Sequence, residues 1–523
     1  MQIRIARAKR LLGLSVLAVA VFSSVSAFAQ ETDEDEDEAA DLGEKTAAEK
    51  AASPEGVPPP SASTPLPPPV APPPAPPSPF TLAVKGFVTG TIAMQDVLGG
   101  AAGSYNTFLF APNSEPATDK WMYGGDVRQS QIKFFITGPK VIGAAPTAGF
   151  DFDLLGGHQI NNTPGLVVPI TVWNPTTMMN TPTGATAASG TSAQGDENIL
   201  PRVRLAYLEL NWGGGQDILR VGQFHNLIVP MIPASLSHIG APLGYGAGQL
   251  GWRAPGITYQ HTFKLSEKTS LAGALQLNRN NWADNLPTCP AGTTTSPGNN
   301  CLPGGVSFGE ASALPQVQAR LMLTGPPKAS PFPMYAPNAW QVHLVGVWDQ
   351  KDASGFGAKP PAGSTYNDVL TTMIVAGGFK ASLGPVLVAG HGWYGKNAGS
   401  LFGHIFATQH PQSGDISGFG GWGQLGYSLT PQLALWAFAG IDKPNENDIR
   451  RAMRNYYIQN VQLSGMLSFV AGPLAFSLEY MRIMSDFAFA AVPASAATMN
   501  RAIPERTVSA VANQIALTAA FFF

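Results

Sequence analysis

Arg202 and Arg204 stand two residues apart in the run Arg202-Val203-Arg204-Leu205-Ala206-Tyr207, and Lys133 sits in the same way between Ile132 and Phe134. Asp151 and Asp153 alternate with Phe150, Phe152 and Leu154, and Glu479 lies between Leu478 and Tyr480. Charges at every second position share one face of a strand. A surface built this way attracts or repels ions; it breaks no bonds. The residues that could do covalent or metal chemistry are not grouped. The eight histidines are scattered, with no His-Glu-x-x-His pair and no Cys/His set at zinc spacing. No Gly-x-Ser-x-Gly elbow occurs. A hydrolase would need a Ser/His pair drawn from distant strands, and His391 and His404, flanking one loop, read as surface groups. No enzyme, metal or cofactor is expected. Cys289 and Cys301 lie in a Pro/Thr/Gly-rich stretch. In an exported chain they are expected to form a disulfide, which adds rigidity worth ~3 kcal/mol against the unfolded state. Their spacing is not that of a Cys-x-x-Cys redox pair.

The elements that must carry these charges follow from composition and periodicity. Only 12 % of the 523 residues are charged and 44 % are hydrophobic, with 57 glycines and 46 prolines. That balance disfavours long helices, and a net charge of −3 excludes a strongly basic nucleic-acid binder. Residues 1–29 read as a secretory signal: Arg4, Arg7, Lys9 and Arg10, a short apolar core, and Ala27-Phe28-Ala29 before the expected mature start at Gln30. Residues 31–38 hold seven acids, and fourteen of the residues 54–79 are proline. Residues 30–79 are therefore expected to be a disordered periplasmic tether, extended and unable to pack a core. They are either a solvated spacer or a contact to the cell wall. Four bases fall in 1–29, and 30–79 carry two bases and eleven acids. The remainder, 80–523, is nearly neutral, so ion preference must come from local arrangement.

From residue 80 onward, segments of about ten residues alternate apolar with polar or small residues, the outer-membrane strand signature. Ile515, Leu517, Ala519, Phe521 and Phe523 share one face of the last segment, opposite Gln514, Ala516 and Thr518. Strand starts are expected near Leu82, Val127, Thr147, Arg202, Asp217, Trp252, Thr269, Pro315, Asn338, Val369, Pro385, Gly418, Gln432, Tyr456, Pro473 and Thr507. Sixteen strands, seven short turns and eight long loops make an all-β fold: a closed 16-stranded antiparallel transmembrane β-barrel with both ends on the short-turn side. Its apolar face turns outward. A soluble all-β sandwich would turn that face inward. Tyr207, Trp212, Tyr259, Trp340, Trp422, Tyr427 and Tyr480 fall near strand ends, where interfacial girdles form. Arg202, Arg204 and Lys133 point to the lumen when Val203, Leu205, Tyr207, Ile132, Phe134 and Ile136 face lipid. Alternatively, Arg202 and Arg204 snorkel to headgroups. Leu208, Leu210 and Trp212 favour the opposite face, which calls for a bulge in that strand. Asp151, Asp153 and Glu479 also read as lumenal, and the two aspartates could neutralise the arginines.

The segment Arg202-Val203-Arg204-Leu205-Ala206-Tyr207-Leu208-Glu209-Leu210 resembles the fourth strand of the Gram-negative trimeric porins. Leu219-Arg220-Val221-Gly222-Gln223-Phe224 resembles the strand that leads into their constriction loop, and Phe523 resembles their terminal assembly aromatic. Body and loop order are also similar to the DcaP-like subgroup, which carries a periplasmic extension. The resemblance implies an outer-membrane location in a Gram-negative cell, a homotrimer in lipid, and passive diffusion of small hydrophilic solutes or ions. It further implies that residues 226–251 form a third loop folded into the barrel. In the family that loop supplies acids opposite an arginine cluster. Here it has no Asp or Glu, but offers Ser235, Ser237, His238 and Tyr245 among aliphatics. Inward bases without opposing acids favour anionic or neutral solutes. The alternatives are a substrate-selective anion channel, or a closed barrel that anchors the membrane to the cell wall through residues 30–79.

Overall fold

The computed structural model describes residues 80–96, 121–156, 171–174, 179–182, 200–280, 308–328, 335, 338–352, 369–407, 414–453, 456–491 and 504–523. The signal, the tether and the Cys289/Cys301 pair lie outside the described residues.

Sixteen antiparallel strands follow one another around a closed barrel. They are β1 (Thr81–Gln95), β2 (Met122–Asp126 continued by Gln131–Thr137), β3 (Ala145–Gly156), β4 (Leu200–Trp212), β5 (Asp217–His225), β6 (Arg253–Ser266), β7 (Thr269–Asn278) and β8 (Gln316–Thr324). The second half is β9 (Trp340–Asp352), β10 (Val369–Leu383), β11 (Val386–Lys396), β12 (Ser417–Ser428), β13 (Leu433–Pro444), β14 (Tyr456–Ala471), β15 (Leu474–Phe489) and β16 (Arg506–Phe522). A two-stranded hairpin, Thr171–Asn174 with Met179–Pro182, lies outside the barrel sheet. Among the described residues no helix is long and apolar enough to cross a membrane.

β1 closes the ring. Its outer part pairs with β16, from Phe87↔Phe522 to Gln95↔Gln514, and its length pairs with both pieces of β2. Gly86 and Phe523 exchange two backbone hydrogen bonds at 2.8 and 3.0 Å. A Cβ at Gly86 would lie 2.3 Å from the Gln131 carbonyl oxygen, so the seam leaves no room for a side chain there. Among the described residues every barrel strand is paired on both sides, as hydrocarbon requires.

The outer wall is an apolar band: Val88, Ile92, Leu275, Leu321, Leu344, Val375, Leu425, Leu467, Leu478 and Leu517 are all exposed. Their neighbours along each strand point inward and are buried, so the apolar-out alternation holds around the barrel. The last strand follows its expected parity, with Ile515, Leu517, Phe521 and Phe523 exposed.

Two local features depart from the sequence reading, and a third, the bulge expected in β4, reverses the expected facing of Leu205 and Tyr207. β2 breaks at residues 127–130, where Arg128, Gln129 and Ser130 turn inward together and the Ser130 hydroxyl accepts from the Thr89 N–H at 3.1 Å. β4 carries a register shift opposite Asp151/Phe152. Arg204 and Leu205 both point inward across that bulge, so Leu205 and Tyr207 face the lumen rather than lipid, while Leu208 is exposed. Trp422, expected in an interfacial girdle, is also buried inside the barrel.

Candidate functional site in the barrel lumen

Loop 3, residues 226–252, leaves β5 and folds into the lumen, where nearly all of it is buried. With no carboxylates of its own, it is held through its backbone by glutamines of the wall. Gln276 and Gln318 accept from the Leu227 and Ile228 N–H groups at 2.8 and 3.2 Å. Gln424 exchanges two bonds with the Ala234 backbone at 2.7 and 2.8 Å. On the opposite wall Gln129 donates to the Ser237 carbonyl and accepts from the Gly240 N–H, both at 2.7 Å. Gln462 accepts from the Gly244 N–H at 2.8 Å, and Asn460 donates to the Gly246 carbonyl at 2.8 Å. Buried backbone groups must find partners. Alternation puts those partners on β7, β8, β12 and β14, and the break in β2 supplies Gln129.

The tip of the loop is fixed by Glu479. Ser235 donates to its Oε2 at 2.6 Å, Ser237 donates to the same oxygen, and Ser464 donates to Oε1 at 2.7 Å. His238 Nδ1 lies 2.8 Å from the Ser237 hydroxyl. The order is Glu–Ser–His, with the serine between the other two. A hydrolytic triad needs the histidine in the middle as base, so this cluster is a fastening. Burial holds the His238 imidazole below its ordinary range, opposed by the charge of Glu479. Burial likewise pushes the Tyr245 phenol up to about 12.

One side of the lumen is filled by apolar side chains. Met231, Leu236 and Leu243 of loop 3 pack against Leu387, Trp422, Trp436, Phe438, Met466 and Ile483 of the wall. Loop 6 also folds inward, through the short turns Ala398–Leu401 and His404–Phe406. It meets loop 3 by a Gly251 N–H to Leu401 carbonyl bond of 2.8 Å and by the Phe402 ring, 4.9 Å from both Tyr245 and Trp252. His391 and His404, expected at the surface, are both buried here. His391 Nδ1 lies 3.1 Å from His343 Nε2 across β10.

The charged groups gather on the other side. Arg202 pairs with Asp153 at 2.6 Å, Arg204 approaches Asp151 at 3.5 Å and Asp153 at 3.6 Å, and Lys133 lies 3.8 Å from Asp151. Arg128 and Asp126 form a further buried pair at 3.0 Å. The structure thus places Lys133, Asp151, Asp153, Arg202 and Arg204 together on one lumenal wall. Glu479 stands apart under the loop tip, and His238 lies in the loop itself. Arg253, which the sequence reading passed over, completes the wall. Its guanidinium stacks 4.1 Å from the Trp252 ring, it is buried, and no carboxylate is within ion-pair distance among the described residues. Between Gln131, Arg204, His225 and Arg253 on the wall and Ile232, His238, Pro242 and Tyr245 on the loop lies a gap of about 20 Å³. That holds about one water.

Below the gap, toward the short turns, the lumen widens into a vestibule of about 610 Å³. Thr258, Gln260, Thr262 and Gln276 line it together with Arg220, Lys264, Lys268 and Arg320, against Glu267. Arg220 is matched by Glu209 at 2.9 Å; among the described residues Arg320 has Gln260, at 3.1 Å, and no carboxylate.

No family model and no curated protein matches the sequence. Solved structures do match in shape. The outer membrane channel DcaP of Acinetobacter baumannii aligns over 85% of this chain and 97% of its own, at 13% identity and a TM-score of 0.51. The chain has the outer-membrane porin fold. The anion-selective porin from Comamonas acidovorans (10% identity, 85% and 100% covered, TM-score 0.43) and OmpT of Vibrio cholerae (10%, 85% and 98%, 0.42) are more distant and add no weight. Relative to the expectation for a porin fold, the eyelet is asymmetric. Its bases and their acids share one wall, and the loop opposite is uncharged.

Proposed function

We propose that this chain is an outer-membrane channel of a Gram-negative cell that passes small hydrophilic solutes by diffusion and prefers anions. The observation that carries this reading is Arg253, a buried cation with no carboxylate within ion-pair distance among the described residues, beside Arg204 at the gap and facing a loop that has no acid. A fixed positive charge in a low-dielectric gap lowers the barrier for an anion and raises it for a cation. Arg320 extends the same sign into the vestibule. Assembly as a homotrimer, export by residues 1–29, a Cys289–Cys301 bond and assembly through Phe523 belong to the same reading. Single-channel recording in a KCl gradient tests it: a reversal potential of the anion-selective sign supports it, and a cation-selective sign overturns it.

The one-water gap favours a second reading, a closed barrel that serves as an anchor through residues 30–79. A well-folded barrel that conducts no ions in bilayers, and whose chain co-sediments with cell wall only when residues 30–79 are present, would establish that reading instead.

A further inference from the structure

Strand register rules the vestibule wall into rows. Gln260 of β6, Ala274 of β7 and Arg320 of β8 lie side by side in one row. Four residues nearer the short turns, a second row carries Thr324 of β8 and Gln341 of β9. At ~3.3 Å per residue the two rows are about 13 Å apart. The small Ala274 lets the Arg320 side chain lie across β7 and donate to Gln260 Oε1 at 3.1 Å.

Three buried polar atoms of residues lining the chamber have no hydrogen-bond partner among the described residues: Arg320 Nε, Gln341 Nε2 and Asn338 Oδ1. Buried polar groups are ordinarily paired, so three in one chamber mark the valences of a ligand. The free Nε–H of Arg320 offers one edge of a planar cation to an oxyanion. Toward the short turns the chamber offers a neutral donor, Gln341 Nε2, and a neutral acceptor, Asn338 Oδ1. One hydroxyl, or two neighbouring ones, accepts from the first and donates to the second. A second carboxylate there would have no proton to give the Asn338 oxygen. Phe224 is the one aromatic carbocycle among the described lining residues and is itself buried, so an aromatic acid finds no ring to stack on. Water can meet each of the three atoms singly; a solute that meets them together displaces those waters.

We propose that the vestibule is a binding site for a small polyhydroxylated monocarboxylate, a sugar acid, with its carboxylate on Arg320 and its far hydroxyls on Gln341 and Asn338. Its role in permeation rests on the channel reading above. A chain of about six carbons, with the reach of the two side chains, spans the ~13 Å between the rows. Thr262, two residues below the Arg320 row, offers its hydroxyl to the middle of that chain. The chamber, at about 610 Å³, has the size of a small-molecule site. Chloride, which has no hydroxyls, passes through; the acid dwells, and its flux saturates.

Equilibrium dialysis of labelled gluconate against the full chain in detergent tests the site without conduction. Gluconate is expected to saturate one site per chain. Acetate, which lacks the hydroxyls, and glucose, which lacks the charge, should each compete at least about tenfold more weakly. Glucarate, which adds a second carboxylate, should also compete more weakly than gluconate. Arg320→Gln should lower gluconate affinity about tenfold or more, and Gln341→Ala roughly threefold to tenfold. Lys264→Gln, which removes an exposed charge from the same chamber, should change it less than about twofold. Gluconate held no more tightly than acetate or glucose overturns the proposal, and so does an equal loss in Lys264→Gln and Arg320→Gln. The ligand comparison uses the native chain, so the proposal stays open to refutation even if a variant fails to fold. In single-channel recordings, gluconate on the periplasmic side should reduce the KCl current saturably. Anion-selective conduction without preference for gluconate overturns the site and keeps the channel reading. Arg320-dependent binding in a barrel that does not conduct, or that prefers cations, keeps the site and overturns the channel reading.

Discussion

Ser235 donates its hydroxyl hydrogen bond to Glu479 Oε2 at 2.6 Å, joining residues 244 positions apart and fastening the tip of loop 3 to β15. Glu479 is buried and, among the described residues, receives serine hydroxyls and pairs with no cation. The carboxylate thus serves the fold of the loop first and the selectivity of the pore second. Glu479→Ala is expected to leave Ser235, Ser237 and Ser464 without their acceptor and to loosen the loop tip by about 1–3 kcal/mol. Hydrogen exchange at residues 233–240 should rise by one to two orders of magnitude while exchange in β14 and β16 stays unchanged. Protection equal to that of the native chain would remove Glu479 as the fastening.

Arg253 and Asp153 make opposite predictions at the eyelet. Arg253→Gln removes a cation at the gap that has no carboxylate within ion-pair distance among the described residues, and anion preference should fall toward neutrality. Asp153→Asn frees Arg202 and Arg204 from their shared partner, and anion preference should rise. Reversal potentials in a tenfold KCl gradient read both. A shift of the same sign in the two variants would contradict the assignment of these charges to the ion path.

The barrel was legible because its code is short-range. Period-two alternation and turn residues marked the strand starts to within a few residues, including Asp217, Thr269, Val369 and Tyr456 where the structure begins its strands, except that Val127 falls in the break of β2, which starts at Met122. Inward charge at Lys133, Asp151 and Asp153 follows from the same alternation. What was not legible depends on contacts between distant segments. The break at residues 127–130, after Gly124-Gly125-Asp126, was not read from its turn residues; Arg128 and Gln129 leave the strand because Asp126 and loop 3 receive them. Tyr207 was misplaced because one bulge at Arg204 reverses parity for the rest of β4. Trp422 was misplaced because a porin lumen is expected to be wet. A signal was present: Leu435-Trp436-Ala437-Phe438 is apolar on both faces, as a strand covered on both sides must be. The wall glutamines recur at inward positions, but only the folded loop shows what they hold.

Gly248 limits how closely loop 3 can seat against the wall. Its φ of +105° lies in the region that side chains avoid, and a Cβ there would stand 2.2 Å from the Gly421 carbonyl oxygen. Gly248→Ala is expected to lift this part of the loop and to break the 3.0 Å bond from Trp393 Nε1 to the Gly248 carbonyl. The loss is roughly 2–4 kcal/mol for strain and bond together. Conductance should rise and Trp393 fluorescence should shift toward the red. Unchanged conductance with folded barrels would show that the loop is not what narrows the pore.

Acid should open the same assembly. His238 in loop 3 and His404 in loop 6 are held neutral by burial, His404 pushed down to about 3 although Asp448 pulls the other way. A histidine whose folded pKa is depressed binds its proton more readily once exposed. The folded arrangement is therefore favoured above the ordinary value near 6.5 and loses ground as pH falls below it, continuing toward pH 3 for His404. Loop opening, followed by protease cleavage within residues 226–252, is expected to accelerate from pH 6.5 downward. His238→Gln keeps a polar group of similar size and should make the profile less steep below pH 6.5, leaving the contribution of His404, which runs on toward pH 3. A profile that is flat in the native chain, or unchanged by His238→Gln, would show that proton uptake by the buried ring does not govern the loop.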